Sequence, residues 1–473
     1  MLPTRGPLTI HPENPRVFAD RDGRGVYLTG SHTWAVIQDI GRPDGEPFPF
    51  DTYLGLLGEW NHNFSRLWVW EHPEGGCWTD TRMVFAPVPW ARTGPGLAAD
   101  GLPKFNLDVW DEQFFERLRS RVIACRDAGI YVSVMLFQGW SLKKVGGTKT
   151  DPWEFHPFNR QNNVNGIDVP FGGADDDEHP CLHSLKNPEV LAKQEAYVRH
   201  TVELLNDLDN VMYEVINEGG TKEWQYHILR FVKEVEAGLP QRHLTGMTHR
   251  IAPLMFNQDL FDSPADWISP AKEPLDFLYP GSVLVEDYQE DPPAADGRKI
   301  ILNDTDHLWG HGGHWRWAWK SFTRGHHVLF MDPWWPLYLD STPENAGWVF
   351  TGGVTKDQPD YPDFEPLRRT MGDTLRLADR VDMARSVPRG SLSSTGYCLA
   401  DPGVSYIVYA PTGGRVTLDL REAVGKTFSV EWFVPILSRT FPTQIVAKGG
   451  DYFVTDTPFS GDAVLFLRAA ATG

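Results

Sequence analysis

Short, unbroken apolar runs alternate with helix-patterned stretches along most of this chain, and that alternation restricts the fold more than any other feature. The runs are GVYLTGSHTW (25–34), NFSRLWVWEH (63–72), IYVSVMLFQGW (130–140), NVMYEVINE (210–218), HLTGMTH (243–249), ADWISP (265–270), KIILNDTDH (299–307) and HHVLFMDP (326–333). Parallel strands covered on both faces need such continuous burial. Between them lie helical stretches. DTYLGLLGEW (51–60) has Asp51 placed to cap it. Phe114, Phe115, Leu118, Val122 and Ile123 share one face of 111–130. Asn187-Pro188 opens a third helix, Gly238 stops a fourth, and 364–384 forms a last one. Strand-helix alternation of this length predicts an α/β fold, a (β/α)8 TIM barrel, over residues 1–386, with an N-terminal hairpin before the first core strand. A doubly wound sheet would call for a Gly-rich phosphate loop, which is missing. After Ser386 the pattern becomes YIVYAP, GRVTLDL, TFSVEWFVP, TQIVAKG, DYFVTD and AVLFLR, read as a C-terminal all-β sandwich over 387–473.

Composition removes several function classes. With 63 acidic and 44 basic side chains, the formal charge is −19, which argues against a nucleic-acid partner. No window approaches the run of about 20 apolar residues that a membrane span needs. The opening MLPTRGPLTIHPENPRVF has no apolar signal-peptide core, so the expected location is cytoplasmic. The cysteines at 77, 125, 181 and 398 form no C-x-x-C pair, and reduced, structurally incidental thiols are expected. The stretches 73–110 and 141–186 show no clear period and read as long insertions, the second with a solvated acidic run at 175–178.

Chemistry in a barrel sits at the C-terminal ends of the strands. Those ends offer His32 and Trp34; Trp70, with Arg66 inside the same strand; Gln138 and Trp140; Asn217 and Glu218; His249; Asp304, Asp306 and His307, with Trp309 just beyond; and Trp334 and Trp335. Flat aromatic faces suit the apolar side of a sugar ring, and carboxylates and amides suit its hydroxyls. Glycosidic cleavage needs two carboxyl groups astride the bond, one to protonate the leaving oxygen and one to attack carbon or activate water. Glu218 on strand four and the acids on strand seven face each other across an eight-stranded ring. Asp304 and Asp306 share parity on an extended strand, so both are expected to point inward.

NVMYEVINEGG resembles the strand-four motif of the large glycoside hydrolase clan whose acid/base follows an asparagine, which maps that role onto Glu218 beside Asn217. FSRLWVW is similar to the clan's strand two, whose arginine supports the nucleophile; here that is Arg66. The opening hairpin, the LTGSHTW strand and the C-terminal β region together resemble apiosidase-like barrels that carry a domain named for collagen binding. Those families place a glutamate on strand seven, whereas ILNDTDHLWG has Asp304 or Asp306 for the role.

The expectation is a glycosidase acting on short oligosaccharides or glycosides, exo-acting because the insertions wall the cleft. Glu218 is the general acid and Asp304, ahead of Asp306, the nucleophile or base. His32, Trp34, Arg66, Trp70, Gln138, Trp140, Asn217, His249, His307, Trp309, Trp334 and Trp335 bind the carbohydrate substrate. No cofactor and no metal are expected, and a homo-oligomer is left open. The alternatives are a non-catalytic carbohydrate-binding protein on a degenerate barrel, or a metal-dependent hydrolase built on His307, His311 and His314.

Overall fold

The computed structural model describes residues 3–142, 150–169, 181–249, 255–273, 286–310, 312–334 and 363–470. Trp335, His311 and the acidic run 175–178 lie outside these residues. Eight parallel strands form the barrel: β1 (Thr29–His32), β2 (Phe64–Trp68), β3 (Tyr131–Gln138), β4 (Val211–Asn217), β5 (Thr245–Thr248), β6 (Trp267–Ser269), β7 (Ile300–Asp304) and β8 (His327–Met331). Their hydrogen-bonded order is β1-β8-β7-β6-β5-β4-β3-β2. The ring is nearly closed between β2 and β1, where Asn63 N–H donates to Thr29 O at 3.1 Å and Ser65 Oγ to Ser31 O at 2.9 Å. Every residue of β3 and β4 is buried, as their unbroken apolar runs require.

Helices α1 (Phe50–Glu59), α2 (Glu112–Asp127), α3 (Pro188–Leu205), α4 (Lys222–Ala237), α5 (Asn257–Asp262), α6 (Trp315–Thr323) and α7 (Glu365–Ala378) cover the strands. The Asn187 side chain caps α3 by accepting from the Glu189 and Val190 N–H groups. Asp51 does not cap α1. The helix begins one residue earlier, with Pro49 at its cap, and Asp51 lies in the first turn, where its charge suits the helix dipole. The stretch 73–110 contains an antiparallel hairpin, Trp90–Leu97 with Pro103–Trp110, whose register breaks between Arg92 and Leu97. Gly94-Pro95-Gly96 falls in that break and hides the alternation from a sequence reading.

A small sheet of Thr9–Ile10, Phe18–Ala19 and Gly25–Val26 precedes the barrel. Its neighbours Leu8 and Phe18 pack with the barrel-interior residues Leu28, Phe64, Met212 and Leu302, so the bottom of the barrel is apolar and filled.

The C-terminal strands are β9 (Val387–Pro388), β10 (Cys398–Asp401), β11 (Ser405–Ala410), β12 (Arg415–Asp419), β13 (Thr427–Val434), β14 (Arg439–Lys448), β15 (Tyr452–Asp456) and β16 (Ala463–Ala469). Six form an antiparallel sheet in the order β9-β10-β11-β16-β13-β14, and β12 pairs with β15. Strand alternation divides β11 between two cores. Tyr406 and Val408 join Leu418, Trp432 and Leu465 within the β region, while Ile407 and Tyr409 pack with Trp319 of α6 and Leu375 of α7. The all-β region is thus seated on the last two barrel helices.

Gly30 sits so close to β2 that a Cβ there would lie 1.8 Å from Phe64 O. Gly30→Ala is therefore expected to force β1 and β2 apart and destabilise the fold by about 3 kcal/mol or more. Gly55, exposed in α1 with no atom within 4 Å of such a Cβ, is expected to tolerate alanine and gain about 0.5–1 kcal/mol. Urea unfolding of both variants checks the contrast.

Candidate active site

One guanidinium organises the polar layer. Arg66 projects inward from β2 and is fully buried. Its Nε and Nη2 donate to Glu214 of β4 at 2.8 and 2.9 Å, and its Nη1 donates to Asp304 Oδ2 at the end of β7 at 2.5 Å. Both carboxylates are as buried as the arginine. His32 Nε2 of β1 lies 3.3 Å from Nη1, and Ser133 Oγ of β3 donates to Glu214 Oε2 at 3.3 Å. Burial raises the Glu214 carboxyl's hold on its proton, and Arg66 works against that shift.

β4 ends at Asn217, and the chain then bends sharply. Glu218 adopts φ 44°, followed by Gly219 and by Gly220 at φ 71°. Gly219 packs directly on Gly139, beyond the end of β3, where a Cβ would lie 2.5 Å from Gly139 Cα. The bend carries the Glu218 carboxyl to the end of β7, where Oε1 is 3.5 Å from His307 Nδ1. Burial pushes Glu218 up to about 7; Asp304 adds to the shift and His249 opposes it.

The shared parity expected of Asp304 and Asp306 does not occur. The strand stops at Asp304, whose Oδ1 accepts the Asp306 N–H at 3.0 Å and caps a 3-10 turn, Thr305–His307. The turn nevertheless keeps the acids together, since ligand-type atoms of Asp304, Asp306 and His307 lie within 4.8 Å of one another. Burial pushes Asp306 up to about 8, with His307 opposing and Glu218 and Asp304 adding.

Several buried polar atoms at this end of the barrel have no hydrogen-bond partner among the described residues: Asp306 Oδ2, His307 Nε2, His249 Nδ1, Asn217 Oδ1 and Gln138 Nε2. His249 Nε2 lies 3.5 Å from Glu273 Oε1. Gln138 is held through its N–H, donated to Glu71 Oε2 at 3.0 Å, and through Oε1, which accepts from Trp140 N–H at 2.8 Å. Asn217 Nδ2 reaches the same Oε1 at 3.5 Å.

The aromatic residues divide. Trp70 is wholly buried among Trp34, Trp68, Trp78 and Phe85, and Trp34 is 2% exposed, so both serve packing and present no open face. Trp140 is partly exposed and stacks on Trp78 at 5.8 Å. Trp309, also partly exposed, meets Trp317 edge-on, and Trp334 leans on Tyr53 and Phe48. His314 caps α6, its Nδ1 accepting from Arg316 N–H. The four cysteines are buried and form no disulfide.

The fold is shared with solved glycoside hydrolases. A glycoside hydrolase family 5 structure from Bacteroides vulgatus ATCC 8482 superposes with a TM-score of 0.62 at 12% identity, over 98% of this chain and 93% of that one. A second structure, of a glycoside hydrolase, gives 0.61 at 12% identity, over 99% and 98%. No family model matches the sequence, and no curated protein matches it. The likeness therefore concerns architecture: the (β/α)8 barrel and the β region behind it.

Two participants escaped the sequence reading. Glu214 is an acid inside an apolar strand, two positions from the inward-facing Met212. A charge there needs an opposite charge, and Arg66 was the available one. Glu273 carries no such signal, because it follows β6 in an irregular stretch.

In the folded chain Glu218 and Asp306 keep protons that carboxyls at their ordinary values of 4.5 and 3.8 would release, up to about 7 and about 8. From about pH 4 to about pH 8 these two groups bind more protons in the native than in the unfolded state, so their own contribution to stability falls as pH rises, while buried histidines of lowered proton affinity, among them His62, His72, His326 and His327, work the other way below about pH 6.5. Urea midpoints are expected to decline from about pH 7, where the histidines are neutral in both states, to about pH 8.5, and Glu218→Gln is expected to remove part of that decline.

Proposed function

We propose that this chain is a glycoside hydrolase acting on short oligosaccharides or glycosides in an exo manner, with Glu218 as general acid and Asp304 as nucleophile or base. What supports the reading is that Glu218 Oε1 lies 3.5 Å from His307 Nδ1, in the turn that follows Asp304, the carboxylate ion-paired to Arg66. Burial raises Glu218 toward neutrality, as a general acid requires, and Asp304 is held in an ion pair with Arg66. The family 5 architecture of the neighbouring structures supports the assignment. The unpartnered atoms of Asp306, His307, His249, Asn217 and Gln138 suit a ligand rich in hydroxyls. Partly exposed Trp140, Trp309 and Trp334 supply aromatic surface at the same end.

In the reaction, Glu218 gives its proton to the glycosidic oxygen as the bond from anomeric carbon to oxygen breaks. Asp304 acts on the opposite face of the sugar. In a retaining course its oxygen bonds the anomeric carbon; water, losing a proton to Glu218, then displaces it. In an inverting course Asp304 takes a proton from the water that attacks carbon directly. Either way the products are the free sugar and the alcohol; the retaining course restores both carboxyl groups, and after the inverting course Asp304 loses its proton to solvent and Glu218 takes one up.

The grouping of Asp304, Asp306 and His307 favours a second reading, a divalent cation and metal-assisted hydrolysis. Against it, both Asp304 oxygens already accept N–H donors, one of them from a guanidinium. Turnover is expected to survive exhaustive chelation; loss with chelator and recovery with added metal would favour the cation.

The deciding assay uses alkyl and aryl glycosides. Glu218→Gln is expected to lower turnover of alkyl glycosides by about 10²–10⁴-fold, and far less for a dinitrophenyl leaving group, which needs no proton. Asp304→Asn is expected to fail on both. Full activity of Glu218→Gln on alkyl glycosides would sink the assignment.

A further inference from the structure

The bend at 218–221 is held between two supports. On one side Gly219 packs on Gly139, the residue after Gln138, and Gly139 N–H donates to Asn217 O at 2.9 Å. On the other side stands His183, near the end of the second long insertion. Its carbonyl accepts the Thr221 N–H at 2.9 Å, and a Cβ on Gly220 would lie 3.2 Å from its own Cβ. Thr221 in turn caps α4 through its side chain.

Both supports lead to one buried carboxylate. Strand β2 stops pairing with β3 at Trp68, opposite Met135. Gly139 turns its N–H toward β4, so Gln138, one residue earlier, turns its N–H to the side where β2 has ended. Glu71, 1% exposed, fills that gap, and its Oε2 accepts the Gln138 N–H at 3.0 Å. The same oxygen lies 3.2 Å from His183 Nε2, and Oε1 lies 3.9 Å from His156 Nε2. Three distant stretches of the chain meet at this one side chain.

We propose that Glu71 is a positioning residue for the general acid: by tying Gln138 and His183 to one carboxylate, it fixes the separation of the two supports and so fixes where the Glu218 carboxyl stands. The proposal rests on the reading of Glu218 as general acid. The bend needs such a tie, because φ 44° is a conformation that a side chain with a Cβ leaves when free to do so. Gly219 and Gly220, which follow, add no stiffness of their own. Displacement of a reacting group by about 1 Å costs on the order of 10²-fold in rate. Glu71, closed off from solvent, acts through the bend and not on the substrate.

The test compares leaving groups in the full chain. Glu71→Ala is expected to lower kcat/KM on alkyl glycosides about 10–10²-fold, and on dinitrophenyl glycosides, which need no proton, by no more than about threefold. A role confined to fold stability would lower both alike, because it removes active molecules whatever the leaving group. In a Glu218→Gln background, Glu71→Ala is expected to add no further difference between the leaving groups, since the acid it positions is gone. Glu71→Gln, which keeps the size and one acceptor oxygen, is expected to restore most of the lost rate. A second readout needs no substrate: in hydrogen exchange followed by mass spectrometry, peptides covering Gly139 and Thr221 are expected to exchange faster in Glu71→Ala, and those of the C-terminal sheet are not. An alkyl-to-dinitrophenyl ratio that stays at the wild-type value, whether or not the rates fall, would overturn the proposal. Should Glu71→Ala not fold, Glu71→Asp, one methylene too short to reach both supports, carries the same comparison. A wild type that cleaves no glycoside, together with faster exchange at the bend in Glu71→Ala, defeats the hydrolase reading and leaves the anchoring of the bend standing.

Discussion

Arg66 is the charge around which the upper half of the barrel is built. A guanidinium withdrawn fully from water is tolerable only with its donors satisfied, and two strands on the far side of the ring supply the acceptors, Glu214 and Asp304. One cation set against two carboxylates leaves the layer with surplus negative charge. A further acid brought to the same end meets that surplus, with imidazoles as its neighbours: His307 stands 3.5 Å from Glu218. The proton affinities at the mouth are raised first by burial, and the charge on Asp304 adds to them.

The scaffold fixes that layer from two directions. Below it, the barrel floor is plugged by apolar side chains and by the N-terminal sheet, which excludes water from beneath the ion pairs. Behind it, the turn carrying Asp304, Asp306 and His307 leads into α6, and α6 is clamped by the C-terminal sheet. Trp319 lies in the shared core, and Trp315 Nε1 donates to Asp462 Oδ2 at 3.2 Å. The β region therefore bears mechanically on the strand-seven turn, although it lies behind the helices.

Much of this was legible from residue order. The barrel strands could be read because each is a continuous apolar run, and Asn217-Glu218 and Arg66 stand where strand patterning places them. The 3-10 turn after Asp304 could not, because a side-chain cap decides it, and Asp-Thr-Asp is compatible with both strand and turn. The roles of Trp34 and Trp70 were also out of reach. Whether an aromatic at a strand end is covered depends on Trp78 and Phe85, which the irregular segment after β2 brings over them. Glu214 was readable in principle, as a charge within a buried strand, but only once its opposite number across the ring was known.

The left-handed backbone at Glu218 has a consequence for how such a chain changes over generations. A side chain with a Cβ costs on the order of 1 kcal/mol or more in this conformation, whereas glycine adopts it freely and asparagine more easily than most. Replacement by glycine, and to a lesser degree by asparagine, therefore relaxes the backbone while ending the chemistry. Selection for robustness and selection for turnover pull in opposite directions at one residue, so a lineage released from its substrate would be expected to shed this glutamate early.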